Sequence, residues 1–120
     1  MVKHMIIWKL KDEIGNKAAY ALQIKQALEE LVGKIDGLLD MKILTSGLPS
    51  STGDLMMDST FASREALKAY AVHPLHVAVA DGLVRPAVIS RAAFDYEVSV
   101  QKGLADLGAS ENDEKILKTQ

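Results

Sequence analysis

One short stretch decides how the second half of the chain folds: Tyr70-Ala71-Val72-His73-Pro74-Leu75-His76. Proline has no backbone N–H and disfavours helix in the residue before it, so His73 should end one helical segment. Proline is also favoured in the first turn of a helix, so we expect Pro74 to open the next segment. His76 then lies in a helical first turn, where free N–H groups and the positive dipole end favour a neutral imidazole.

Periodic hydrophobic patterns on both sides of this stretch predict the other elements. Patterns of period two predict four strands, residues 2–10, 38–45, 54–61 and 91–98. Helical spacing of apolar residues predicts one helix over 17–35, and Ser63 is a candidate cap for a second that ends near Val72. A further helical segment should run from Pro74 to about Leu83. The order β-α-β-β-α-β predicts an α+β fold of the ferredoxin-like type.

The length and composition indicate one globular domain. The chain has 120 residues, of which 48% are hydrophobic and 25% charged, enough to build a core. The periodic pattern weakens after Val100, so we assign residues 1–100 to the domain and 101–120 to a C-terminal tail with a short helix near 113–118.

Charge and composition also limit the partners. The net charge is −2 and the sequence shows no basic patch, which argues against nucleic acid. No stretch approaches the roughly 20 apolar residues that a membrane span needs. The chain has no cysteine, which excludes disulfides and thiol nucleophiles and is compatible with the cytoplasmic location that we expect.

Both faces of the predicted sheet carry apolar residues. In the first strand Ile6 and Trp8 lie on one face, and Met5 and Ile7 lie on the other. Because the helices of this topology cover only one face, the second face needs a partner. A symmetric homodimer is the simplest solution, and a monomer with a few exposed methionines is the alternative.

Three parts of the sequence resemble the stress-responsive A/B barrel domain family, whose members form dimeric α/β barrels. They are the opening Val2-Lys3-His4-Met5-Ile6-Ile7-Trp8-Lys9-Leu10-Lys11-Asp12, the run Tyr70-x-x-His73-Pro74-x-His76-Val77 with Asp81 beyond it, and Phe94-Asp95-Tyr96. The resemblance covers about residues 2–98. It implies a ferredoxin-like subunit, two copies of which form a barrel.

The resemblance also implies site residues. The family includes the plant olivetolic acid cyclase, which folds a linear tetraketide with a histidine and tyrosine pair that His76 and Tyr70 match. Its N-terminal strand histidine matches His4. A further pocket histidine in its third strand has no equivalent here, since Leu55 falls nearest to that position. Many members have no established reaction, so the resemblance supports the predicted fold more strongly than it supports catalysis.

Each candidate residue has a functional and a structural interpretation. His76 is the candidate general base, or else a structural histidine bonded to a neighbouring carbonyl. Tyr70 either assists His76 or simply packs under a strand as an amphipathic aromatic residue. His4 and Trp8 are candidate substrate-binding residues of the cleft, although His4 could equally be a buried, satisfied strand histidine.

Other polar residues are assigned structural roles. His73 should lock the helix junction through a backbone hydrogen bond. Asp81 is roughly 140° around a helix from His76, too far to orient it, and could close the turn at Gly82. His73 and His76 lie three apart without a third ligand, so we predict no metal site.

Three functions remain open at this point. The first is a small-molecule-binding barrel with cofactor-free lyase or cyclase chemistry on a carbonyl compound, in which His76 is the base and Tyr70 assists. The second is a non-catalytic stress-response or accessory protein that binds a metabolite or a protein. The third is a cofactor-independent monooxygenase, since related dimeric α/β barrels include such enzymes.

Overall fold

The computed structural model describes residues 1–98, which form one four-stranded antiparallel sheet and three α-helices. The strands are β1 (Val2–Leu10), β2 (Leu38–Leu44), β3 (Leu55–Phe61) and β4 (Val88–Glu97). The helices are α1 (Lys17–Glu29), α2 (Arg64–Ala71) and α3 (Pro74–Val79). The tail predicted for residues 101–120, with its short helix, lies outside the described residues.

The strand order in the sheet is β2-β3-β1-β4, and every neighbouring pair is antiparallel. Together with the element order, this confirms the predicted α+β ferredoxin-like fold. β1 is paired on both sides, so that His4 lies opposite Ser59 of β3 and opposite Asp95 of β4.

The core lies between the helices and one face of the sheet. The residues of β1 that share this face are all buried, and so are the corresponding residues of β3. Helix α1 packs Ala21, Ile24 and Leu28 against them. The first helix begins at the predicted cap, because the Asn16 side chain accepts a hydrogen bond from the Ala19 N–H.

The first helix is shorter than the predicted range of 17–35. It ends at Glu29, and residues 30–35 form turns with tight hydrogen bonds such as Leu31 N to Leu28 O. Gly33 has a φ of +89°, a conformation that a right-handed helix cannot contain. Leu31 and Ile35 are nevertheless buried, so the apolar pattern predicted the core correctly but not the local backbone.

The helical region is interrupted between α2 and α3, as predicted from Pro74. Ser63 caps α2 through a hydrogen bond from the Ala66 N–H, and α2 ends at Ala71. Pro74 is the first residue of α3, and His73 caps this helix by accepting a hydrogen bond of 3.1 Å from the Leu75 N–H to its Nδ1. After Val79 the helix widens into a π-helical turn and then a 3₁₀ turn, Ala80–Val84 and Arg85–Ala87.

Strand β4 is longer than the predicted 91–98 because it begins at Val88, where Lys11 N donates to Ala87 O and Leu10 pairs with Val88. From Ile89 to Glu97 its side chains are exposed on both sides of the sheet. The short, broken α2 and α3 therefore cover the inner face of the central strands but leave that of β4 open.

The outer face of the sheet has no helix over it. Met5 of β1 lies opposite Phe94 of β4, and Ile7 lies opposite Met56 of β3. Phe94 is 69% exposed and Ile7 is 47% exposed. Lys3 and Asp58 form an ion pair of 2.6 Å between side chains on this face. Among residues 1–98, no helix is long and apolar enough to cross a membrane.

The turn before β2 supplies a test of the packing between this turn and α2. Gly37 has a φ of +86°, its carbonyl accepts from Ala62 N, and an added Cβ would lie 2.5 Å from the Cβ of Ala66. Gly33 has a similar φ but nothing within 4 Å of an added Cβ. We expect Gly33→Ala to cost about 1 kcal/mol from backbone strain alone, and Gly37→Ala to cost more than this. Urea unfolding at one protein concentration measures both, and equal losses would contradict the predicted clash.

Candidate functional site

An open cleft of about 1060 Å³ lies on the helix side of the sheet, over the uncovered part of β4. Its walls come from β1, α2, α3, the turns that follow α3, and β4. Phe61, Met57 and Trp8 are buried in the core, but they do not fill this space. The volume is close to the upper end of the range found for sites that bind small organic ligands.

Tyr70 and His76 form one wall of the cleft. Tyr70 lies in the last turn of α2, is 2% exposed and packs edge-on against Phe61, with ring centroids 4.9 Å apart. The break at Pro74 turns α3 back, so the ring of His76 stacks on that of Tyr70 at a centroid distance of 4.0 Å and an interplanar angle of 28°. The tyrosine therefore fixes the imidazole by stacking.

His76 is held as a neutral imidazole with a free nitrogen. Burial lowers the pKa of His76 below 6.5, the positive charge of Arg85 acts in the same direction, and interaction with the Ala71 backbone opposes both. The direction agrees with the sequence expectation, but burial is the main cause rather than the helix end. The Nδ1 atom is buried and has no hydrogen-bond partner among the 98 described residues. A buried nitrogen of this kind calls for a hydrogen-bond partner that the described residues do not supply.

The hydroxyl of Tyr70 has a different role from the imidazole. Burial raises the pKa of Tyr70 well above its usual value of 10, so this phenol keeps its proton at physiological pH. It can donate a hydrogen bond to a ligand oxygen, but it cannot serve as a base at neutral pH.

His4 and Asp95 form a second polar pair in the cleft. His4 is 8% exposed on β1, and its Nδ1 is hydrogen-bonded to Oδ1 of Asp95 directly across on β4. A carboxylate can only accept, so Nδ1 carries the proton, and Nε2 has no partner among residues 1–98. Ser59 also donates a hydrogen bond of 2.6 Å to the His4 carbonyl and fixes the strand at this point.

All four residues predicted for the site line the same cleft: His76, Tyr70, His4 and Trp8. The residues given structural roles lie elsewhere. His73 caps α3, as expected, and Asp81 pairs with Arg85 four residues on rather than with His76. No group of three or more His, Asp or Glu side chains within residues 1–98 could hold a metal ion.

Two sets of cleft residues were not predicted from the sequence. Asp95 was named only in an alternating strand pattern and in the run Phe94-Asp95-Tyr96, and its pairing with His4 depends on β4 lying next to β1. The second set is cationic, because all three arginines of the chain and one lysine line the cleft: Arg64, Lys68, Arg85 and Arg91. They are too far apart in sequence to form a recognisable basic run.

A ferredoxin-like α+β subunit with an open ligand-sized cleft and a buried histidine defines the class of this protein. The model of the Stress Responsive A/B Barrel Domain family, Dabb, matches residues 2–98. The chain therefore belongs to this family, and the resemblance noted from the sequence is confirmed. A comparison with curated proteins gave no match.

Several solved structures of other proteins share the fold of this chain. A dimeric protein of unknown function from Bacteroides fragilis is 32% identical, has a TM-score of 0.74, and is matched over 81% of this chain and 95% of its own. The hydroxynitrile lyase of Passiflora edulis is 18% identical, with a TM-score of 0.66 over 83% and 94% of the two chains. A candidate antibiotic biosynthesis monooxygenase from Nitrosomonas europaea is 14% identical, with a TM-score of 0.66 over 83% and 100%. At such identities the last two show the fold alone.

The His4–Asp95 pair leads to a prediction about histidine tautomers. In the neutral form of His4 we expect the ring proton to lie on Nδ1. Asp95→Ala removes the acceptor and should shift His4 toward the Nε2–H form. Long-range ¹H–¹⁵N NMR spectra of the imidazole nitrogens report this directly. Glu97→Gln is the matched control, because Glu97 is on the same strand but binds Arg64. An unchanged His4 spectrum in Asp95→Ala would show that the carboxylate does not set the tautomer.

Proposed function

We propose that the protein binds a small, largely apolar carbonyl compound in the cleft and moves a proton on it without a cofactor. The observation that carries the proposal is the half-buried imidazole of His76, which stacks on Tyr70 at the cleft wall and whose pKa is lowered by burial. A neutral imidazole within reach of a carbon-bound or hydroxyl proton can remove it as a general base. Apolar side chains such as Ile6 and Trp8 suit an apolar ligand body.

The remaining groups support the chemistry that follows proton removal. Loss of a proton next to a carbonyl places negative charge on the carbonyl oxygen, and donors aimed at that charge lower the barrier. The protonated hydroxyl of Tyr70 is one such donor, and its low exposure strengthens the hydrogen bond. Nε2 of His4 is a second polar group for orienting the ligand. The same arrangement suits a cyclase, which begins with this proton transfer from carbon, and a cyanohydrin lyase, in which the base removes the hydroxyl proton, the carbonyl forms and cyanide leaves.

The proposal predicts that His76 is required for proton exchange. In D₂O the protein should accelerate the exchange of the α-protons of 2-octanone, followed by NMR, and His76→Gln should reduce the rate about 100-fold or more. His73→Asn is the matched control, because asparagine keeps a side-chain acceptor at the cap of α3 and His73 does not line the cleft. Cleavage of mandelonitrile in a parallel assay tests for hydroxynitrile lyase activity.

The outcomes separate the competing functions. Equal exchange rates in the native protein and in His76→Gln would remove the base role. Binding of the ketone without any exchange would assign the protein to the non-catalytic binding class. Oxygen consumption with an added ligand would favour a monooxygenase.

The exchange rate should also depend on pH in one direction. Because the pKa of His76 lies below 6.5, the imidazole is already neutral at pH 7. We expect the enzymatic rate constant, corrected for the uncatalysed reaction, to be level above pH 7 and to fall only below pH 6.5, as the base takes up a proton. A rate that keeps rising through pH 8 would point to another base.

We infer that two copies of the chain associate through the outer face of the sheet. The relative that is 32% identical is described as dimeric, and the exposed apolar side chains of this face include Ile7 and Phe94. We expect a particle of about 26 kDa in light scattering, twice the chain mass of 13.0 kDa. Ile7→Asp should shift it toward 13 kDa, whereas Leu22→Asp, an exposed site on α1, should not. A native particle of monomer mass would contradict the inference.

A further inference from the structure

The cleft concentrates the arginines of an otherwise acidic chain. Arg64, Arg85 and Arg91 are the only arginines in the sequence, and each lines the cleft, as does Lys68. They come from α2, the 3₁₀ turn and β4, so the fold rather than the sequence brings them together. Four cationic and two acidic side chains line the cleft, although the whole chain has a net charge of −2.

Some of these charges already have partners within the protein. Arg64 forms two hydrogen bonds of 3.1 and 3.0 Å with the carboxylate of Glu97, and Arg85 pairs with Asp81. The second acidic residue of the cleft, Asp95, is bound to His4.

Two positive charges of the cleft are left over. In the described part of the chain, neither Arg91 nor Lys68 has an ion-pair partner, while both acidic residues of the lining are engaged. Within residues 1–98 the cleft therefore has two cations that can bind an anion, and no unpaired carboxylate that can bind a cation.

The free arginine is placed beside the apolar floor of the cleft. Arg91 of β4 lies opposite Trp8 of β1, and Ile6 lies on the same face of β1. Arginine presents a planar fork of N–H donors that matches a carboxylate, and its charge next to an apolar surface suits a ligand with both parts.

We propose that the ligand of this cleft carries a carboxylate, which Arg91 binds, on an apolar body that lies along Trp8, and that Lys68 adds positive charge to the cleft. This inference rests on the proposed function and names its ligand class: a carboxylic acid that also contains a carbonyl group within reach of His76. A single carboxylate fits better than a multiply charged phosphate group, because Asp95 and Glu97 also line the cleft and repel additional negative charge. Arg85 also lines the cleft, and its charge acts on His76.

The test uses the intrinsic fluorescence of Trp8, which is the only tryptophan of the chain and lies in the cleft opposite Arg91. The probes are octanoate and octanamide, which have the same chain length and differ in charge. At low salt, octanoate should change the emission with a dissociation constant about tenfold lower than that of octanamide. The preference should shrink as NaCl is raised, because salt screens an exposed charge pair.

Variants assign the preference to the two cations. Arg91→Gln should weaken octanoate binding several-fold and Lys68→Gln should weaken it less, and both should leave octanamide binding unchanged. Lys34→Gln is the matched control, since it removes an equal charge from an exposed position that does not line the cleft. Urea unfolding of each variant verifies that the fold is retained.

Three results would overturn the inference. Equal affinity for octanoate and octanamide would show that the cleft binds apolar chains without recognising a carboxylate, and the proposed function would stand. A preference for octanoate that survives both substitutions would place the anion elsewhere. If neither probe affects Trp8 but His76-dependent proton exchange is present, the carboxylate inference fails alone.

Discussion

The break in the second helical region determines the shape of this protein. Proline at position 74 cannot donate the hydrogen bond that would continue α2, so the helix stops and a new one starts after His73. Two short helices cover less of the sheet than one long helix would, and β4 keeps an open inner face. The same break stacks His76 on Tyr70. One backbone constraint therefore shapes the cleft and places a half-buried imidazole in its wall.

Two properties of His76 determine its chemistry: the ring is partly buried, and its Nδ1 atom has no hydrogen-bond partner within residues 1–98. Desolvation keeps the imidazole neutral, and the absence of a protein partner for Nδ1 within residues 1–98 leaves this nitrogen with a hydrogen bond to make. In His4 the equivalent nitrogen is already satisfied by Asp95. The two histidines line one cleft but differ in what they can offer a ligand, because one is committed to a carboxylate and the other is not.

Much of the fold could be predicted from local sequence patterns, and the rest depends on tertiary pairing. Alternation identified all four strands, and the caps at Asn16 and Ser63 marked helix starts, because these signals act over a few residues. The end of α1 was wrong by six residues, since the buried stripe continues through the turns after Glu29 without a helical backbone. The four candidate site residues line one cleft, but Asp95 was not foreseen, because its partner is set by the strand order.

In the proposed arrangement the two faces of the sheet separate ligand binding from association, and β4 contributes to both. Its alternate residues Arg91 and Asp95 face the cleft, while Ala92 and Phe94 face outward, opposite Ile7 and Met5. An edge strand with few buried side chains is the part of a sheet most easily displaced. Burial of Phe94 by a second copy would hold β4 in place, and with it the carboxylate that orients His4. Loss of the contact between Phe94 and a second copy would then loosen β4, and with it the wall of the cleft, without altering any residue proposed to contact the ligand.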